Sequence, residues 1–137
     1  MSKTGWQKLE APSLGEFEQL AAEAFAVLPE KFRIMCGDVV IRVEDFPSRD
    51  VLREMNAGKF DLLGLFTGVG LAQGGDGPLT GQLPNTVHLY RRAILDYWAE
   101  HQERLGDIVT HVLVHEIGHH FGLSDEDMER IEASAGA

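Results

Sequence analysis

The chain has 137 residues, 44% of them apolar and 25% charged, with a formal net charge of −10. This is an ordinary composition for one globular domain with a modest core, and the acidity argues against nucleic acid and anionic membrane surfaces as partners. No segment is apolar enough to span a bilayer, and the single cysteine, Cys36, excludes an intrachain disulfide. Met1 to Trp6 lacks the apolar run of a signal peptide, so a reduced, cytoplasmic setting is expected.

Residues 1–12 read as a flexible arm, in which Trp6 and Leu9 offer apolar surface for docking on a core. Residues 13–137 read as a single domain. Ser13-Leu14-Gly15-Glu16 is a capping box that opens a helix to about Leu28, with Phe17, Leu20, Ala21, Ala24 and Leu28 as its apolar stripe. Val39 to Val43 is a β-branched run and predicts a strand. After Pro47 and Ser48 comes a short helical pattern with Val51, Leu52 and Met55, stopped near Gly58. Leu62 to Thr67 predicts a second strand, in which Gly64 marks a bulge or a close backbone approach.

Gly68 to Pro84 is rich in glycine and nearly free of charge. It is either a lid over a cleft or a disordered connection, and it is not a phosphate loop because no Gly-Lys-Ser/Thr follows. Thr86 to Tyr90 alternates and predicts a third strand, and Arg91 and Arg92 lead into a helix containing Ile94, Leu95, Tyr97 and Trp98. The next helix, which Asp107 can cap, carries Ile108, Val109, Val112, Leu113, Ile117 and Phe121 around most of its circumference, so it is expected to be buried. The tail from Met128 reads as a short helix that frays.

One stripe of that buried helix is polar: His111, His115 and His119. Within it the chain reads His115-Glu116-Ile117-Gly118-His119-His120-Phe121-Gly122-Leu123-Ser124-Asp125, an HExxH extended to HExxHxxGxxD. Positions i and i+4 share a helix face, so His115 and His119 can place two imidazoles on one ion. Zinc accepts neutral imidazole in a tetrahedral shell. Glu116 stands about 100° around the helix, beside the ligands, where it can take a proton from water. Gly122 suits the left-handed turn that ends a helix, after which Asp125 can come back as a third ligand. Ser124-Asp125-Glu126-Asp127 equally reads as a helix start, with Ser124 as N-cap and acids in the first turn. His111 is expected to stand behind the ligands as a buried hydrogen-bond donor, and His120 lies on another face.

With Leu62-Leu63-Gly64-Leu65-Phe66 and Val87-His88-Leu89-Tyr90-Arg91-Arg92, this block resembles the small bacterial zincin-like metallopeptidases over most of the chain. The resemblance implies an α+β fold: a minimal domain with a small mixed three-stranded sheet packed on helices around a central HExxH helix. It implies one zinc ion bound by His115, His119 and Asp125, with Glu116 as general base. The block is also similar to the metzincins, which carry a histidine where Asp125 stands here.

The leading expectation is a zinc-dependent hydrolase, a metallopeptidase acting on a peptide or protein substrate, with Tyr90, His88 and Arg91 as candidate oxyanion donors. The alternative is a metal-stabilised protein-interaction module without peptidase activity. A deformylase-like reading needs a cysteine ligand, and Met35-Cys36-Gly37-Asp38 lacks the glycine-rich flanks of that motif.

Overall fold

The computed structural model describes residues 3–68 and 84–136. A short helix, α1 (Lys3–Trp6), precedes α2 (Leu14–Ala26). The capping box at Ser13 is formed in both directions: Ser13 Oγ accepts from Glu16 N at 3.1 Å, and Ser13 N donates to Glu16 Oε1 at 2.8 Å. Phe17, Ala21, Ala24 and Leu28 are buried as expected. Trp6 and Leu9 are not docked; both stand exposed.

The chain does not run on as one helix to Leu28. It breaks at Val27 and restarts at Pro29 as α3 (Glu30–Cys36), which buries Phe32 and Cys36. Proline has no N–H to give to a continuing helix, and its fixed φ suits a helix start. The strand β1 (Val40–Glu44) follows, then α4 (Arg49–Met55), capped by Ser48. Asn56, in the left-handed region at φ 51°, ends α4 before Gly58 is reached.

Three strands form one mixed sheet in the order β1-β3-β2, where β2 is Gly64–Thr67 and β3 is Thr86–Tyr90. β1 runs parallel to β3 and β2 antiparallel to it. The segment Gly68 to Pro84 lies, apart from its ends, outside the described residues. Strand alternation divides the sheet into two faces. Val87 and Leu89, both fully buried, lie in register with Ile41 and Val43 on one side and with Phe66 and Gly64 on the other. This row joins the core. The opposite face carries a polar bond line across all three strands. His88 Nδ1–H donates to Glu44 Oε1 at 2.7 Å, which leaves Nε2 to accept from the Thr67 hydroxyl at 3.0 Å.

After β3 come α5 (Arg91–Glu100), α6 (Leu105–His120) and α7 (Asp125–Gly136). α6 is the centre of the fold and packs against α2, α5, α7, β2 and β3. Ile108, Val109, Val112, Leu113, Val114 and Ile117 are all buried, whereas Phe121 at its C-cap is partly exposed. Its N-cap is Arg104; Asp107 sits in the first turn and pairs with Arg104 at 2.9 Å. The result is an α+β domain with the HExxH helix at its core. Among the described residues no helix is long and apolar enough to cross a membrane.

Candidate metal centre

Two close approaches fix α6 in place. A Cβ on Gly64 would lie 2.6 Å from Val112 Cγ1 and 2.8 Å from the His88 carbonyl oxygen, so β2 can lie on α6 only because residue 64 has no side chain. A Cβ on Gly118 would lie 2.5 Å from Met128 Sδ, and Met128 is fully buried there, so α7 docks across α6 at the glycine inside the motif.

The turn between the two helices is a Schellman motif. Gly122 has φ 75°, Leu123 N donates to Gly118 O at 2.9 Å, and Gly122 N donates to His119 O at 3.2 Å. Ser124 then caps α7, its Oγ accepting from Asp127 N at 3.1 Å. α7 continues to Gly136. Asp125 is its first residue, exposed, with Glu126 and Asp127 beside it in the first turn.

The three stripe histidines are not equivalent. His115 and His119 stand edge to face, with ring centroids 5.7 Å apart and planes at 83°. His111 and His115 have centroids 3.9 Å apart and planes tilted by 30°. An imidazole lone pair lies in the ring plane, so an ion shared by two rings must lie where their planes cross. Two imidazoles on a tetrahedral zinc, with Zn–N of about 2.0–2.1 Å, have centroids roughly 5 Å apart. The His115–His119 pair has a comparable centroid separation and crossed planes. The His111–His115 pair lies closer than that, with a smaller angle between planes. Two imidazoles one helical turn apart are donor chemistry that suits a zinc ion.

A further carboxylate reaches this stripe. Glu132, about two turns along α7 from Asp125, accepts from His115 Nε2 at 2.9 Å with one oxygen and from His111 Nδ1 at 2.8 Å with the other. Among the described residues, His111, His115 and Glu132 are the set of three whose ligand atoms lie within 4.8 Å of one another. Neither His119 nor Asp125 belongs to that set. His111 is a donor, as expected, but its side chain is 55% exposed rather than buried. His120 is exposed and stacks on the Phe66 ring at 4.0 Å. Sequence spacing did not point to Glu132. The signal that was available is the stripe Met128, Ile131 and Ala135, which marks the buried face of α7 with Glu132 at its margin.

Glu116 is half-buried between α6 and the sheet. Burial pushes its carboxyl up; His119 beside it and the backbone N–H of Phe66 pull it back down. Gly64 lies against it, since a Cβ there would be 3.4 Å from Glu116 Cγ.

The candidate oxyanion donors are largely committed elsewhere. His88 is bonded at both nitrogens. Arg91 donates to Pro12 O at 2.7 Å and to Asp45 Oδ1 at 2.9 Å. Tyr90 is buried, and its hydroxyl is pushed up to about 12, first by burial and then by the charges of Glu44 and Glu116. Cys36 is buried in α3 and outside the histidine cluster, with its thiol pushed up to about 11 by burial.

A buried helix with two histidines one turn apart and a glutamate beside them, packed beneath a small mixed sheet, is the arrangement of metal-dependent hydrolases built on HExxH. The sequence profile of the zincin-like metallopeptidases matches residues 36–135, and the chain belongs to that family. No match is found among curated proteins.

Proposed function

We propose that this protein is a zinc-dependent metallopeptidase that cleaves peptide bonds in a peptide or protein substrate. His115 and His119 hold the ion, Glu116 is the general base, and α7 supplies a carboxylate ligand, for which Asp125 stands at the spacing of the motif. The observation that carries this reading is the perpendicular His115–His119 pair with a half-buried Glu116 beside it. The chemistry that zinc supplies when bound is Lewis acidity toward a water and toward the carbonyl oxygen of the scissile bond.

Glu116 takes the proton of the attacking water and later delivers it to the leaving amine. The reading carries a cytoplasmic setting with it, which the single, buried, unpaired Cys36 supports.

The test is elemental analysis of the purified protein together with a peptide-library digest, with and without chelator. Glu116→Gln should keep the metal and lose turnover. Turnover retained in that variant would refute the mechanism. The rival reading, a metal-stabilised interaction module, draws on Glu132, which α7 brings to His111 and His115; with Asp125 added, two carboxylates and two histidines would make a closed shell. It expects metal binding with no cleavage in any variant.

A further inference from the structure

A cavity of about 200 Å³ opens beside the histidine stripe, lined by Leu63, Tyr97, Glu103, Ile108 and His111. Ile108 and His111 lie three residues apart on one face of α6. Tyr97 comes from the C-terminal end of α5, Glu103 from the turn between the two helices, and Leu63 from the position before β2. Two of these residues join the cavity to the candidate metal centre. The ring centroid of His111 lies 3.9 Å from that of His115. Leu63 adjoins Gly64, where a Cβ would lie 3.4 Å from Glu116 Cγ. An extended peptide advances about 3.3 Å per residue, so a residue flanking the scissile bond can lower its side chain here.

We infer that this cavity is a substrate subsite that takes a lysine or arginine side chain next to the scissile bond, with Glu103 selecting for its charge. The inference rests on the metallopeptidase reading above. Pockets for whole small molecules run to about 300–1,000 Å³, so this smaller one suits a single long side chain. Leu63, the Tyr97 ring and the buried Ile108 offer apolar walls, and Glu103 is exposed at the rim. A basic side chain has the matching division: an apolar stem that packs on such walls and a charged head that stays wet. Glu103 Oε2 accepts from the Tyr97 hydroxyl at 3.2 Å. A carboxylate has about four acceptor sites, so one bond leaves capacity for an ammonium or a guanidinium. Among the described residues Glu103 takes part in no ion pair, and the cation beside it, Arg104, is paired with Asp107 at 2.9 Å. The formal net charge of −10 favours a cationic ligand as well.

The experiment gives a degenerate peptide library to the zinc-loaded full chain and to its Glu103→Gln and Glu103→Lys variants, and reads the cut positions by mass spectrometry. In a second arm, immobilised zinc-loaded Glu116→Gln protein, with and without Glu103→Gln, retains peptides from the same library, which are identified in the same way. Lysine and arginine should be enriched beside the cut by about tenfold over methionine, a side chain of similar length without charge, as expected of a part-exposed charge-assisted bond. In Glu103→Gln that ratio should fall to within about twofold of unity. In Glu103→Lys it should turn toward acidic side chains.

Cutting without a basic preference, or with one that survives both substitutions at Glu103, would overturn the inference. So would a library from which the protein neither cuts nor retains basic peptides. Retention of basic peptides that depends on Glu103, with no cleavage by the parent, is a different result: it upholds the subsite and sinks the metallopeptidase reading.

Discussion

The contact between β2 and α6 at Gly64 allows a quantitative test of how the site is held. In Gly64→Ala the new methyl would sit 2.6 Å from Val112 Cγ1 and 2.8 Å from the His88 carbonyl oxygen. Carbon atoms in ordinary contact are about 3.5–4.0 Å apart, so the overlap with Val112 is roughly 1 Å. Val112 is itself buried and cannot swing into solvent, and the His88 oxygen belongs to the central strand. Relief must come from lifting β2 off the helix, and overpacking of this kind costs about 1–3 kcal/mol.

For a chain of 137 residues, an unfolding entropy of about 2.1 cal/mol/K per residue converts that cost into a fall in Tm of roughly 3–10 °C. The assay is thermal and urea unfolding of the metal-free protein, compared with Val112→Ala and the double variant. Removing Val112 Cγ1 relieves the worse of the two overlaps, so the double variant should be more stable than the sum of the singles by about 0.5–3 kcal/mol. Strict additivity, or a Tm for Gly64→Ala within about 1 °C of the parent rather than in that range, would refute the close approach.

Other outcomes follow from the same structure. Cys36 should resist thiol reagents in the native state at neutral pH and react on unfolding, because burial both shields the thiol and holds it at about 11. Cys36→Ala should bind zinc like the parent, as measured by chelator competition, since Cys36 takes no part in the histidine cluster. Tyr90 should lower stability at alkaline pH. Its folded value of about 12 lies above the ordinary tyrosine value of 10.0, so between those values the folded state holds a proton that the unfolded state has lost, and stability falls as pH rises through that window. Tyr90→Phe should flatten that part of the urea-denaturation profile. Chelation should lower the Tm of zinc-loaded protein, and zinc at about 100 times its dissociation constant should restore about 2.7 kcal/mol.

Local pattern carried much of the fold and of the candidate metal centre. The β-branched run near Val40, the alternation from Thr86 to Tyr90 and the capping box at Ser13 are short-range signals, and each marks an element that formed there. The pair His115 and His119, with Glu116 beside them, follows from helical periodicity alone. What could not be read depended on contacts made elsewhere. α3 is only seven residues long and is held by burial of Phe32 and Cys36, not by its own propensity. Glu132 lies in an acidic tail with no motif spacing, and it reaches His115 only because α7 docks through Met128 on Gly118. Asp125 has a spacing signal for the metal and a capping signal for α7; the structure displays the helix start around it.

The central claim is that one zinc ion is held by His115 and His119 with Glu116 beside it. The most direct measurement is an anomalous difference map collected at the zinc edge from crystals grown with the metal. A single peak is predicted, bonded by both imidazoles at about 2.0–2.1 Å with one coordination position open. A peak lying away from His119, or a shell completed entirely by protein atoms, would contradict it.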